Sequence, residues 1–191
     1  MPSGVLPNPV GHNRVYVRTG ERFDWDSWWE GLRDGRCFVT NGPLLRATAN
    51  GAFPGEVFRD AGPVNVTLDG KIDSRFPIRS VELIVNGKVL EVSLPTTFEV
   101  SASGWFLVRV IADDPASFRF ASTAPWYVEI EGEPMRPDQA AASFYLRWAE
   151  ERRNALEARL TDPAQRLEVV AAHEKAVDHW RKLASEDAGE P

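Results

Sequence analysis

Between residues 37 and 136 apolar and polar positions alternate with a period of two, in short runs broken by Gly, Pro, Asn and Asp. Val64, Val66 and Leu68 alternate with polar neighbours, and Val81, Leu83 and Val85 do the same. Asn86-Gly87 separates the second run from Lys88 to Val92, and this dipeptide predicts a tight hairpin because both central positions need positive φ. Trp105 to Ala112 and Tyr127 to Glu131 read as further strands. Six or seven strands at such spacing predict an antiparallel β-sandwich of immunoglobulin-like architecture.

The flanks follow other periods. Asn13 to Arg18 is a short β-prone run, and Asp24 is placed to cap a helix from Trp25 to Asp34 that stops at Gly35. Beyond residue 137 apolar residues return at steps of three and four. Ala141, Tyr145, Trp148, Arg152, Leu156 and Leu160 form one stripe, and Val169, His173, Ala176, Trp180 and Leu183 form a second after Pro163. The expected class is therefore mostly β with α. A strand-helix segment (1–36) precedes a β-sandwich (37–136), a helical hairpin (137–185) follows, and a disordered tail (186–191) closes the chain.

Composition narrows the partners. Lys and Arg number 22 against 28 Asp and Glu, a formal net charge of -6 with no basic run longer than two residues. Nucleic acid and anionic membrane surfaces are therefore not expected partners. Cys37 is the only cysteine, so an intrachain disulfide and multi-thiolate zinc sites are excluded. The first twelve residues lack a signal-peptide pattern and no apolar run reaches membrane-span length, so no membrane segment is expected. The compartment stays open between cytoplasm and export.

One stretch is more specific than the rest: Gly31-Leu32-Arg33-Asp34-Gly35-Arg36-Cys37-Phe38-Val39-Thr40-Asn41-Gly42-Pro43-Leu44-Leu45. Together with Asn8 to Val17, Asn50-Gly51, Pro54-Gly55 and Pro125-Trp126-Tyr127-Val128, it resembles the C-terminal region of CehA/McbA-type metallohydrolases of the PHP superfamily, over roughly residues 8 to 148. The resemblance implies a catalytic (β/α) barrel in which His, Asp and Glu hold a divalent metal cluster that activates water toward phosphoester or carbamate bonds. Residues 8–35 would match the last strand and helix of that barrel, and residues after 45 its appended sandwich. With three histidines and no His-x-His, this chain is expected to hold no metal or cofactor itself; the divalent metal is implied for the barrel alone.

The function so implied is that of a noncatalytic scaffold or lid, with the catalytic domain as partner or with self-association through the Trp-rich helix or the helical hairpin. The alternative is an independent carbohydrate- or protein-binding module, suggested by seven tryptophans; a purely structural assembly role is a third. No catalytic residue is assigned. Arg14 is a substrate-proximal candidate because a guanidinium grips anions bidentately, with a surface ion pair as the competing role. Asn41 is the second, with turn capping as the competing role. His12 reads as a solvated loop residue. His173-Glu174 opens like a zinc helix motif, but Val177 stands where the second histidine belongs, and His179 lies about 600° further round the helix.

Overall fold

The computed structural model describes residues 11–133, 135 and 138–185, apart from the side chains at 157 and 158. The expected tail at 186–191, the first ten residues and the 136/137 boundary lie outside the described residues. The chain divides into two compact units, residues 1–135 and 136–191.

The first unit contains strands β1 (Arg14–Val17), β2 (Cys37–Thr40), β3 (Leu44–Ala49), β4 (Val57–Asp60), β5 (Val64–Asp73), β6 (Ile78–Val85), β7 (Lys88–Glu91), β8 (Thr96–Val100), β9 (Gly104–Ala112), β10 (Arg119–Thr123) and β11 (Trp126–Ile130), with helix α1 (Trp25–Arg33) between β1 and β2. Strands β3, β5 and β8 form a three-stranded antiparallel sheet. The other eight form a second sheet in the order β1-β2-β10-β9-β11-β4, with the β6–β7 hairpin on the far edge of β9. Alternation places one face of each sheet in a shared core: Leu45, Val66 and Leu68 from the smaller sheet meet Leu83, Phe106, Val108 and Trp126 from the larger, all at most 1% exposed. Two sheets closed on one core make a β-sandwich.

Two features depart from the expected antiparallel layout. Strand β4 runs parallel to β11, Val57 facing Tyr127 and Asp60 facing Ile130. Strands β10 and β11 divide one edge of β9 between them, interrupted at Ala124-Pro125, where proline supplies no N–H to a ladder. The interruption leaves the Val108 N–H between the two ladders; it donates to the buried Thr123 hydroxyl at 3.1 Å. Each half of this divided strand then takes its own outer partner, β2 beside β10 and β4 beside β11.

Across the 36/37 boundary the two segments share a sheet. β1 pairs with β2 from Arg14↔Thr40 to Val17↔Cys37, so the N-terminal strand-helix segment belongs to the sandwich's own sheet. α1 begins where Asp24 accepts from Ser27 N at 2.8 Å, and the Ser27 hydroxyl and N–H hold the Asp24 carboxyl below its ordinary 3.8. It ends before Gly35, whose φ of +74° suits glycine. The hairpin at Asn86-Gly87 has φ of +46° and +83°, with Val85 facing Lys88 across a two-residue turn.

The second unit is a helical hairpin of α2 (Gln139–Arg159), capped by Asp138, and α3 (Pro163–Ser185), whose first turn donates to Asp162. On α3 the half-buried face includes Val169, His173, Ala176, Trp180 and Leu183, with Val177 fully buried. On α2 the stripe is displaced by one residue. Ala142 and Ala149 are buried, while Trp148 is 53% exposed. The small alanine side chains let the helix backbones approach, and Tyr145 closes the hairpin by stacking on Trp180 at 4.8 Å.

Candidate functional site

The signature from Gly31 to Pro43 folds into a joint whose residues have structural tasks. A Cβ at Gly31 would sit 2.7 Å from Val17 Cγ1 and 2.8 Å from Arg18 O, so the missing side chain is what lets α1 lie on β1. Arg36 pairs with Asp34 at 2.7 Å and Glu30 at 3.7 Å, tying the strand start to the helix end. Thr40 is buried; its hydroxyl lies 2.5 Å from Pro43 O and 3.0 Å from Phe120 O as donor, and accepts from Gly42 N at 2.9 Å.

Of the two sequence candidates, Asn41 is engaged at both ends of its side-chain amide. Its Nδ2 donates to Phe118 O at 2.9 Å and its Oδ1 accepts from Phe120 N at 2.8 Å, so the side-chain amide extends the sheet toward the loop before β10. Arg14 opens β1 opposite Thr40, exposed, and makes no ion pair among the described residues. His12 lies 3.5 Å from Arg119 through Nδ1, and His173 Nδ1 faces Val169 O at 2.9 Å within its own helix. Among the described residues no three His, Cys, Asp or Glu side chains converge to hold a metal.

Sequence reading missed Arg119 and Asp114. Arg119 donates from Nη1 to Asn41 O and from Nε to Asp114 Oδ2, both at 2.9 Å. The Arg119 guanidinium and the Ala116 N–H hold the Asp114 carboxyl below its ordinary 3.8. A carboxylate with a depressed folded pKa stabilises fully above the unfolded value and loses that contribution as pH falls through the folded one. Asp114→Asn is therefore expected to remove part of the stability loss below pH 3.8, read from urea midpoints along an acid titration; an unchanged acid limb would contradict this role.

A cleft of about 530 Å³ is formed beside the β1–β2 pair, β3 and the loop before β4. Tyr16 and Phe38, stacked at 5.0 Å, line it from the β1–β2 pair. Leu45 to Thr48 line it from β3, and Phe53 and Pro54 from the loop before β4. Arg18 lies over the Phe53 ring, its Cζ 3.4 Å from the centroid. Cys37 also lines the cleft, and burial raises its thiol above the ordinary 9.0. Arg18, Gly20, Arg36 and Phe53 continue into a neighbouring depression of about 300 Å³ that reaches Ser27 and Glu30 of α1.

A second surface lies on and beside α1. Phe23, Trp25, Trp28 and Trp29 form a ladder of edge-on contacts at 5.3, 6.3 and 4.8 Å. Phe23 is 63% exposed, Trp25 65% and Trp29 54%. Beside the helix, β1 pairs only with β2, and its outer edge carries no strand among the described residues. Among the same residues no helix is long and apolar enough to cross a membrane.

No protein-family model matches the chain, and no curated protein matches it. One solved structure similar to it is described as "Structures of Clostridium thermocellum CbhA fibronectin(III)-like modules", at 19% identity and a TM-score of 0.30, covering 44% of this chain and 97% of that one. The sandwich described above is read from the chain's own strand pairing and shared core.

Proposed function

We propose that this chain is the noncatalytic C-terminal part of a PHP-type metal-dependent hydrolase of the phosphoester or carbamate class: an immunoglobulin-like sandwich, extended by β1 and α1, that serves as scaffold or lid for a catalytic barrel. The observation that carries this reading is the exposed aromatic ladder of Phe23, just before α1, and Trp25, Trp28 and Trp29 on α1, a helix that lies on β1 at Gly31. Rings this large and this exposed, contiguous in space, mark an interaction surface. The free edge of β1 lies in the same segment, so a neighbouring strand and an apolar helix face would meet it together, as consecutive elements of a barrel do. The divalent metal belongs to the barrel.

The ladder's geometry favours protein over carbohydrate as its partner. Trp25 and Trp28 meet at 74°, and Trp28 and Trp29 at 85°, so the rings present ridges rather than a flat platform for a sugar face.

The chain alone is expected to show no chelator-sensitive hydrolysis of bis(p-nitrophenyl) phosphate with added Mn²⁺ or Zn²⁺. Turnover that disappears with EDTA would overturn the noncatalytic assignment. Without the barrel, the aromatic face is expected to pair with its copy in a second chain. Trp25→Ser with Trp29→Ser should convert the associated species to monomer in sedimentation equilibrium while changing unfolding free energy by only about 0.5 kcal/mol, as for exposed positions. A wild-type monomer at all concentrations, or a variant that unfolds, would contradict the docking role.

A further inference from the structure

We propose that the 530 Å³ cleft beside β1 is a binding site for a small amphipathic anion, with its apolar body against Tyr16, Phe38 and Phe53 and its anionic head on Arg18. This reading is independent of the hydrolase assignment. The volume lies within the range of small-molecule sites, and aromatic walls with few polar groups at the rim are their usual composition.

The charge arrangement argues for the anion. Arg18 N donates to Arg36 O at 2.9 Å, so the two residues continue the β1–β2 ladder as a directly opposed pair, and like charges in that position repel. Arg36 is neutralised by Asp34 and Glu30. Arg18 has no carboxylate partner among the described residues. Its guanidinium carbon instead sits 3.4 Å from the centre of the Phe53 ring, a contact that holds the group against the cleft wall while its N–H groups remain available to donate. A carboxylate, sulfonate or phosphate there would give Arg18 the counter-charge that Arg36 already has and would accept from its guanidinium N–H groups. Of the other charged residues lining the cleft, Arg36 and Arg46 are held by carboxylates and Glu21 is acidic, so Arg18 is the cation there without a carboxylate partner among the described residues.

Cys37 provides a reporter inside the cleft, as it is the chain's only thiol. The test titrates the full chain with 1-anilinonaphthalene-8-sulfonate and, in parallel, with the uncharged N-phenyl-1-naphthylamine, both by fluorescence, with circular dichroism confirming that each variant is folded. One saturable site is expected for each probe. Arg18→Gln should weaken the sulfonate at least fivefold and change the neutral probe less than twofold; Phe53→Ala should weaken both. Saturating sulfonate should slow iodoacetamide alkylation of Cys37 at least threefold at constant pH. Sulfonate binding indifferent to Arg18→Gln, binding abolished by Trp25→Ser with Trp29→Ser, or Cys37 alkylated at its free rate would each overturn the proposal.

Discussion

Phe106→Ala is expected to lower the unfolding free energy of the sandwich by about 3–5 kcal/mol, the cost of removing a fully buried aromatic ring and leaving a cavity. Phe106 is 0% exposed and is the hub of the core. Its ring meets Phe98 at 5.2 Å, Trp126 at 5.4 Å and Phe58 at 6.4 Å. Phe98 lies on the three-stranded sheet and the others on the eight-stranded one, so a single truncation removes packing both across the sandwich and along one face. Leu90→Ala, on the exposed β7 strand, is the control and should change stability by about 0.5 kcal/mol or less. Urea unfolding followed by near-ultraviolet circular dichroism reads the difference. A Phe106→Ala loss below about 1 kcal/mol would mean that the two sheets do not share this core.

Gly55→Ala is the second substitution expected to have a large effect, about 3 kcal/mol or more, from two causes that can be separated. Gly55 has φ of +92°, a conformation that strains any L side chain by about 1–2 kcal/mol. Its added Cβ would also fall 1.8 Å from Asp34 O and 3.1 Å from Gly35 C, so the end of α1 would have to leave the loop before β4. Gly51 isolates the first cause: its φ is +78° with open space around it, and Gly51→Ala should cost only the conformational part, about 1–2 kcal/mol. Because Gly55 N also donates to Pro125 O at 2.9 Å, the displacement should reach the interruption between β10 and β11. Equal losses for the two variants in urea unfolding would show that the close approach to Asp34 is not maintained in solution.

Local signals in the sequence were sufficient for the elements that depend on local chemistry. Asp24 caps α1 because its carboxylate reaches Ser27 N three residues on, and Asn86-Gly87 turns because both residues accept positive φ; neither needs a distant partner. The alternation in β5 is legible for the same reason, with Val64, Val66 and Leu68 all on the core face. What the sequence could not show is pairing at long range. Val57–Asp60 carries no alternation that distinguishes a parallel neighbour of β11 from a loop, and nothing near Arg14–Val17 announces that β2 is its partner. The one-residue displacement on α2 has a related origin. Aromatic residues dominate any apolar count, yet Ala142 and Ala149 are the positions small enough to go inside.

The candidate site followed the same division. Asn41 stood out as a polar residue in a specific motif, but its partners, Phe118 and Phe120, lie nearly eighty residues away, and so does Arg119, which holds its carbonyl. The cleft is assembled from β1, β2, β3 and the loop at Phe53, and no local spacing marks it. Arg18 is unremarkable in sequence beside Arg14; only the fold lays it on Phe53. The tryptophans of α1 were visible as a cluster, whereas their exposure and edge-on arrangement required the structure.

The central claim, that these residues are the noncatalytic sandwich of a metal-dependent hydrolase, is tested most directly by isolating the polypeptide that carries them from its native source with an antibody against residues 64–112. Its mass and its hydrolysis of bis(p-nitrophenyl) phosphate are then measured with and without EDTA. The account predicts that this sequence is recovered in a species larger than 21.3 kDa, whether one longer chain or a complex with a barrel protein, with hydrolysis that EDTA abolishes. Recovery as a free 21.3 kDa chain with no associated hydrolase would contradict it.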